Sequence, residues 1–372
     1  MKQTEPHRRV SRRQFLHRSA GGVAWAGVAG MALPAAVGAA KETDPPAPDA
    51  VTKPPTAQTR AGSAGDQPGG ASPLVQRGEM PAGKLGSLKL SRILSGGNIL
   101  SGWCHSRDLL FVRTLAQAYL TPRRQFDTLQ LMEELGINAI VLDMIQLDIV
   151  KQYRKERGAR MQTVVGIRPD WGDWSQPAWG PLKTEIQRTI DQGPETLFVH
   201  GGYADRLVQS GKSEAVELIG KAIQFIREQG YPAGLGSHAL EVPMACDKQG
   251  IAPDYYFKTF HHDRYWSATP RDRRKRFCVD GQKHLDHNEF HDNIFCIDPE
   301  ETLEFMREKP QPWIAFKVLA AGAIPPASGF QYAFDNGADF LAVGMFDFEV
   351  AEDLKIAREV LQNTRRERPW RS

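Results

Sequence analysis

The segment Asp254-Tyr-Tyr-Phe-Lys-Thr-Phe-His-His-Asp263 decides the fold that we expect for this chain. It begins as an aromatic run typical of a buried strand, and it ends in titratable residues from Lys258 onward. A buried strand with titratable groups at its carboxyl end is typical of a (β/α)8 barrel, whose active site lies at that end of the strands. The stretch 261–298 has no clear periodicity and exceeds an ordinary βα loop, so we expect a loop insertion there.

Apolar and amphipathic runs alternate on both sides of this segment. The expected strands are Arg92–Gly96, Asn138–Asp143, Thr163–Ile167, Thr196–His200, Ala233–His238, Tyr255–Phe260, Ile314–Leu319 and Phe340–Gly344. The expected helices are 123–135, 145–157, 181–192, 213–229, 239–248, 299–308, 327–336 and 348–362. Eight such units predict an α/β fold, a closed (β/α)8 (TIM) barrel over residues 84–363. A doubly wound sheet would need fewer units, and no Gly-x-Gly-x-x-Gly follows a strand.

The amino terminus predicts export. Ser11-Arg-Arg-Gln-Phe-Leu16 matches the twin-arginine motif, and an uncharged stretch rich in Ala and Gly follows it up to Ala40. We expect residues 1–40 to be a cleaved signal that the Tat translocase recognises, which makes the mature protein periplasmic or otherwise exported. A membrane anchor is the alternative, but the Ala and Gly content favours cleavage and no stable membrane span in the mature form.

Composition indicates what the rest of the chain can bind and which parts of it lie outside the folded domain. Its 372 residues carry a net charge of only +3, and no basic stripe with interleaved aromatics predicts nucleic-acid binding. Residues 41–83 are rich in Pro, Gly and Ala and predict a disordered linker. Residues 364–372 predict a basic, solvated tail.

Four cysteines follow the signal, and in an oxidising compartment they could pair in three ways. Cys278 and Cys296 flank the insertion and are the favoured pair, with Cys104 and Cys246 left over. None of the four has the Cys-x-x-Cys spacing of a zinc knuckle.

Titratable residues gather at the expected strand ends. The candidates for catalysis are His200, Lys258, His261 and Asp143. Because consecutive strands supply His200, His238 and His261, these three could instead bind a divalent metal, with Asp143 or Glu241 as a further ligand. His284, His287 and His291 are spaced as one face of a surface helix in the insertion.

Lysines and tryptophans suggest two further interpretations. Lys258 with Lys317 nearby would suit Schiff-base chemistry, and the short stretches around them look somewhat like those of deoxyribose-phosphate-type aldolases. Tryptophans are enriched in the loops at the strand ends, which suggests a stacking surface for a sugar-like substrate, and a packed lid is an equal alternative. The candidate substrate-binding residues are Trp103, His105, Arg168, Trp171, Trp174 and Lys317.

The order of short motifs resembles the aldo/keto reductase superfamily over residues 85–362. The segments that carry the resemblance are Leu85–Gly97, Leu135–Asn138, Phe198–Gly201, Glu228–Gly230, Gly234–His238, Ala315–Gly322, Ala342–Met345 and Val350–Asp353. The resemblance implies a barrel oxidoreductase that binds NAD(P). In it, Ser237 and His238 would hold the nicotinamide amide, Phe316 would stack on the ring, and Gly344 would lie on the closing strand.

The sequence departs from that family where its mechanism is located. The family uses an Asp, a Tyr, a Lys and a His; here His200 is in place and Asp143 is near its place. The Tyr position falls on Gln146 or Asp148, and the third strand ends in Arg168 instead of Lys.

Two further departures follow from the resemblance. The basic residues expected after the eighth strand are replaced by Asp347-Phe-Glu349, where the family binds the adenosine phosphate. Lys258, His261 and Tyr265 are the candidates to replace the phenol in proton transfer.

We therefore expect an exported enzyme that acts on a carbonyl or hydroxyl of a sugar-like small molecule, as an oxidoreductase with non-standard residues. The alternatives are a metal-dependent or Schiff-base isomerase, lyase or hydrolase, and a non-catalytic sugar-binding barrel.

Overall fold

Eight parallel strands close into a barrel in the computed structural model, which describes residues 79–103, 105, 109–169, 173–274, 276 and 295–372. Each barrel strand pairs in parallel with the next, and the last pairs with the first. The barrel strands are β3 (Ile93–Gly96), β4 (Ala139–Asp143), β5 (Gln162–Ile167), β6 (Thr196–Val199), β7 (Ala233–Ser237), β8 (Tyr255–Thr259), β9 (Trp313–Phe316) and β10 (Phe340–Val343). The predicted TIM barrel is confirmed.

A β-hairpin that the sequence did not predict precedes the barrel. Strands β1 (Ala82–Leu85) and β2 (Leu88–Ser91) pair antiparallel around a turn at Gly86, whose φ of +61° favours glycine. Leu85 and Leu90 are fully buried and belong to the apolar cluster that fills the barrel. The hairpin therefore covers the amino-terminal end of the barrel.

Successive strand residues face opposite sides of the sheet, and the burial pattern shows which side is which. On β8, Tyr255 and Phe257 join the cluster inside the barrel, whereas Tyr256 and Phe260 join the cluster between strands and helices. Lys258 therefore belongs to the outward-facing register.

Three glycines on β5 and β7, the two strands that flank β6, make room for the aromatic rings inside. A Cβ on Gly234 would lie 2.4 Å from the Tyr255 ring, and one on Gly166 would lie 2.9 Å from the Phe198 ring. A Cβ on Gly236 would lie 2.6 Å from a backbone oxygen. Side chains cannot be added at these positions without displacing the core.

Helices surround the barrel, and all eight predicted helices are found, within two residues at either end. The helices are α1 (Asn98–Ser101), α2 (Leu110–Tyr119), α3 (Pro122–Glu134), α4 (Leu147–Arg157), α5 (Trp179–Ile190), α6 (Gly201–Gln209), α7 (Ser213–Glu228), α8 (Glu241–Lys248), α9 (Pro299–Glu308), α10 (Pro326–Asp335) and α11 (Asp347–Asn363). Helices α1, α2 and α6 were not predicted, because they lie inside connections that we interpreted as loops.

The expectation of a solvated carboxyl-terminal tail was wrong. Arg368 is 2% exposed, and its Nη1 donates to Oδ2 of the fully buried Asp339 at 2.7 Å. The same guanidinium donates to the backbone carbonyls of Met306, Gly337 and Gln311. Because a buried carboxylate is costly unless it is paired, the tail belongs to the folded barrel.

Of the four cysteines, the structure describes Cys246 and Cys296, and both are free, buried thiols. The Cys296 thiol lies 3.7 Å from Oγ1 of Thr302. Cys278 itself, like Cys104, the signal, most of the linker and the histidine set at 284–291, lies outside the described residues.

Among the described residues, no helix has the length and hydropathy needed to cross a membrane.

Candidate active site

Polar side chains converge at the carboxyl ends of the barrel strands. Asp143 ends β4, and Arg168, His200 and His238 follow β5, β6 and β7 directly, each in the inward-facing register. Phe316 ends β9 in the same register and packs against the inner cluster. We call these five residues and their immediate contacts the mouth of the barrel.

The first group at the mouth joins three strands through Asp143. Arg168 Nε donates to Asp143 Oδ2 at 2.9 Å, and its Nη2 lies 3.4 Å from Oδ1. His200 Nε2 lies 4.0 Å from Oδ2 of the same carboxylate. Arg168 is 2% exposed, so this ion pair is held in a fixed geometry at the floor of the mouth. Gln146, one of the two residues expected at the family's Tyr position, accepts from the Asp143 backbone N–H and donates to Gly97 O, so it supports this floor.

The imidazole of His200 is neutral near pH 7. Burial lowers its pKa to about 4, although the Asp143 charge acts in the opposite direction. Its Nδ1 is buried and has no hydrogen-bond partner among the described residues. A buried N–H without an acceptor costs more than a lone pair without a donor, so the proton belongs on Nε2. His200 therefore presents an N–H to the mouth.

His238 has the opposite polarity because a buried carboxylate holds its other nitrogen. Its Nδ1 donates to Asp205 Oδ2 at 2.7 Å, and Asp205 also accepts from the backbone N–H groups of His238 and Ala239. Asp205 is 3% exposed and lies on α6. This leaves the lone pair on Nε2 of His238, while burial lowers the pKa of the ring despite the Asp205 charge.

Asp205 is the functional residue that sequence reasoning missed. It lies five residues after His200, on a helix that we had interpreted as part of a loop. The signal available in the sequence was an acidic residue in a short run with apolar residues at Tyr203, Ala204 and Leu207.

Phe316 lies next to the hydrogen-bonded pair of His238 and Asp205, which we call the dyad. Its ring stacks on Phe257 at 4.1 Å with an interplanar angle of 13°, and His238 contacts it edge-on at 5.1 Å. Phe316 is only partly buried, so it lines the mouth next to His238.

Lys317 and His105 form the next part of the wall. Lys317 Nζ lies 2.6 Å from His105 Nε2 and 3.9 Å from the centre of the Phe295 ring. The Lys317 charge is the main cause of a His105 pKa well below its ordinary value, and burial and His238 add to it. His105 is therefore a neutral acceptor for the ammonium.

The predicted tryptophans divide between two places. Trp174 contacts His200 and Tyr203 edge-on, and the Arg168 guanidinium lies 5.3 Å from its ring, so it belongs to the mouth. Trp103 is 50% exposed with Arg113 stacked over it at 4.0 Å, and no contact joins it to the mouth within the described ranges. Trp171 lies outside the described residues.

The structure does not place Lys258 in the mouth, which corrects the Schiff-base and proton-transfer hypotheses for this residue. Its ammonium donates to Thr259 O and Oγ1, in a recess lined by His238 and by the first turns of α8 and α9. From there its charge adds to the lowering of the His238 pKa. Burial, and not Lys317, is the main cause of the lowered pKa of Lys258 itself. The alternation along β8 turns this side chain away from Phe257 and the barrel interior.

His261 hydrogen-bonds to the backbone and is not available for proton transfer. Its Nδ1 donates to His262 O at 2.9 Å, and its Nε2 accepts the backbone N–H groups of Phe295 and Cys296 at 3.1 and 3.0 Å. Both ring nitrogens are therefore occupied, which corrects its assignment to catalysis. Tyr265 packs against this ring at 5.9 Å.

The expected His200–His238–His261 metal trio fails for the same reason. No group of three His, Cys, Asp or Glu side chains suited to a metal occurs in the described part of the chain. His238 Nδ1 is hydrogen-bonded to Asp205, and the Asp143 carboxylate is paired with Arg168. Glu241 forms an ion pair with Arg276 at 2.7 Å.

The residues do not fit a nicotinamide dinucleotide well. Glu349 and Asp347 lie in the first turn of α11, and Glu349 already accepts the Phe346 N–H at this helix start. Asp347 accepts from Tyr119 and Arg124. Two carboxylates where a phosphate should bind would repel it. Ser237, expected at the nicotinamide amide, is buried in the outward register, and Gly344 approaches β3 closely.

A comparison with solved structures found one that shares this fold at a TM-score of 0.50. A putative aldo-keto reductase from Pseudomonas aeruginosa aligns with a TM-score of 0.50 and 15% identity, over 75% of this chain and 96% of that one. A second structure of a putative aldo-keto reductase from the same organism gives 0.49 and 16%, over 77% and 96%. Gox0644 in complex with NADPH gives 0.47 and 11%, over 78% and 95%. At these identities the likeness concerns the barrel fold alone. No family model and no curated protein matches the sequence.

Proposed function

We propose that this chain is an enzyme that transfers protons at a carbonyl or hydroxyl carbon of a small, polar, sugar-like substrate bound in the barrel mouth. One observation carries the proposal: Asp205 engages Nδ1 of His238, whereas Nδ1 of His200 has no hydrogen-bond partner among the described residues, and this assigns the two imidazoles opposite polarity. His238 offers a lone pair on Nε2 and His200 offers an N–H on Nε2. The lowered pKa of each ring keeps both neutral near pH 7, which is the form that each role requires.

The mechanism that follows is a proton abstraction next to a carbonyl. His238 Nε2 takes a proton from the carbon, and the C–H electron pair moves into a carbon–carbon double bond as the carbonyl oxygen becomes negative. Asp205 stabilises the imidazolium that forms, and the N–H of His200 stabilises the oxygen. For an isomerisation, the hydroxyl proton on the carbon that lost its hydrogen passes to the negative oxygen, and His238 returns its proton to the former carbonyl carbon, so that carbonyl and hydroxyl exchange places. If the intermediate turns over in the site, return of the proton to the opposite face of the first carbon completes an epimerisation.

Arg168 and Asp143 act as positioning residues in this scheme. Their ion pair fixes the carboxylate 4.0 Å from His200 Nε2, and that negative charge stabilises the ring if it gains partial positive charge. Trp174, edge-on to His200, provides the apolar wall on which a sugar ring would pack.

A nicotinamide-dependent oxidoreductase is the second candidate. The partly buried Phe316 ring at the mouth favours it, and so does the resemblance of the sequence motifs. The acidic start of α11 argues against it, and we derive no hydride step. Titration with NADH and NADPH, followed by cofactor fluorescence, separates the two candidates, since the acid–base enzyme should bind neither at millimolar concentration.

We also propose that the Tat translocase exports the protein to the periplasm. The Ser11–Leu16 motif supports this. In cell fractionation, replacing Arg12 and Arg13 by lysine should retain the protein inside the cell. Export of that double variant at the wild-type level would contradict the assignment.

Deuterium exchange tests the proposed chemistry whichever product forms. Aldoses, ketoses and sugar acids are incubated with the enzyme in D2O, and NMR follows deuterium at the carbon next to the carbonyl. We expect incorporation with wild-type protein and loss with His238→Asn, which keeps the shape of the site but lacks the base. Equal incorporation by that variant would refute the role of His238.

A further inference from the structure

Large apolar side chains are exposed together on one side of the barrel. Of the nine that are exposed in the described part of the chain, six follow β10, β3 or β4, which are neighbours in the closed sheet. These six form what we call the apolar patch: Trp103, Leu109, Phe111, Leu115, Ile145 and Phe348. They come after the carboxyl ends of these strands, so the patch is on the same side of the barrel as the mouth. Apolar side chains gathered on an exposed surface mark a site for a protein or a membrane.

Helix α2 is the centre of the apolar patch. A short helix is ordinarily held to its domain by a buried apolar stripe. Among the α2 residues whose burial is described, only Ala116 is buried, whereas Phe111 and Leu115, one turn apart, are each 61% exposed. Tyr119 at the end of α2 contacts Phe348 edge-on at 6.0 Å, which joins the helix to the rest of the patch. Packing on the barrel therefore does not account for the apolar face of α2.

The charge of this segment is one-sided. Residues 109–126 contain three arginines and no acidic residue. Asp347 pairs with one of the three, Arg124, at 2.8 Å. Another, the exposed Arg113, lies over the Trp103 ring at 4.0 Å, so a cation and an indole ring are presented side by side. The segment therefore places a net positive charge next to exposed apolar side chains.

We infer that the apolar patch docks on the surface of a phospholipid membrane that contains anionic lipids. Helix α2 lies in the plane of the interface, with Phe111 and Leu115 among the acyl chains and Arg113 at the level of the phosphates. Trp103 beside this arginine suits the same boundary, where indole rings are enriched. A second copy of the chain is the poorer partner, because a two-fold contact would bring the same arginines together. The mouth then opens next to the bilayer.

Amide hydrogen exchange of the chain as purified from cells tests this inference. The protein is incubated with vesicles of phosphatidylcholine and phosphatidylglycerol at about 7:3, and mass spectrometry compares its peptides with and without lipid. We expect slower exchange in α2 and at the start of α11, and no change in the hairpin of β1 and β2 at the opposite end of the barrel. Because the readout is local, a signal segment that binds lipid by itself does not produce this pattern.

Variants separate the apolar and the charged parts of the surface. Phe111→Ser combined with Leu115→Ser should raise the lipid concentration that half-protects α2 roughly tenfold or more, because two apolar side chains leave the acyl region. Arg113→Gln should raise it about fivefold at low salt. The matched control is Met244→Ser combined with Trp266→Ser, which removes two exposed apolar side chains outside the patch and should match wild type.

The inference is overturned if vesicles leave the exchange of α2 unchanged, or if the Phe111→Ser, Leu115→Ser protein is protected at the wild-type lipid concentration. It is also overturned if α2 becomes protected without lipid as the protein concentration rises, because a second copy of the chain then covers the patch. Equal protection by vesicles of phosphatidylcholine alone would overturn the requirement for anionic lipid. None of these outcomes depends on the proposed chemistry, since no substrate is present.

Discussion

At the scale of single residues, the chemistry of the mouth depends on which ring nitrogen of each histidine is already bonded. Asp205 fixes the proton of His238 on Nδ1, whereas the unpartnered Nδ1 of His200 favours a proton on Nε2. His261 has both nitrogens bonded to backbone and cannot take part. Three histidines that look equivalent in the sequence therefore have three different roles.

Replacing Asp205 by Asn should expose this dependence. The amide can present its N–H to His238 and reverse the tautomer, so the deuterium exchange rate should fall by about 100-fold or more while the fold is retained. Asp148→Asn is the control, since that side chain is 86% exposed on α4. An Asp205→Asn protein that exchanges at the wild-type rate would show that the dyad is structural.

The pH profile of exchange follows from the lowered pKa of His238. His238 must be neutral to act as base, so activity should be full above pH 6.5 and should fall only as the pH drops through the depressed pKa of this ring. Initial exchange rates between pH 4 and 8 would measure this. An acid limb centred above pH 6.5 would contradict the assignment.

At the scale of elements, the alternation of β8 decides which of its side chains can react. Tyr255 and Phe257 face inward, and Lys258 lies in the outward-facing register with its ammonium bonded to Thr259. The sequence already contained this alternation, and it should have separated Lys258 from the inward-facing tips. What it could not show was that the chain leaves the strand at Phe260, so that His261 turns to bind the backbone at Phe295.

Lys258→Met should therefore leave catalysis intact. The thioether keeps the apolar stem and removes a buried charge, so the free energy of unfolding should change by less than about 1 kcal/mol or increase. Exchange rates and urea unfolding test the two halves of this statement. Loss of deuterium exchange in a stable Lys258→Met protein, or borohydride trapping of substrate on Lys258, would show that this lysine takes part in catalysis.

At the scale of the whole molecule, the barrel was predictable because eight apolar runs alternate with eight amphipathic ones. Local patterns specify strands and helices well, and the observed boundaries lie within a few residues of those expected. Contacts between distant segments were not predictable. The Asp205–His238 dyad joins residues 33 apart, and the Lys317–His105 contact joins residues 212 apart.

The carboxyl-terminal tail is the clearest case of such long-range dependence. Arg368→Ala would leave the fully buried Asp339 without its closest cation, so we expect a loss of about 3–5 kcal/mol in the free energy of unfolding. Arg365→Ala, an exposed neighbour, should cost less than about 0.5 kcal/mol. Denaturant unfolding compares the two, and equal midpoints would mean that the tail contributes nothing.

The hairpin of β1 and β2 has a consequence for kinetics. Since Leu85 and Leu90 fill the amino-terminal end of the barrel, the reacting groups are closed off from that end and substrate reaches them from the side of the mouth. Substrate must enter and product must leave through the same opening, so the two cannot occupy the site together. Product should then inhibit competitively, and product release instead of bond breaking can limit the rate of turnover.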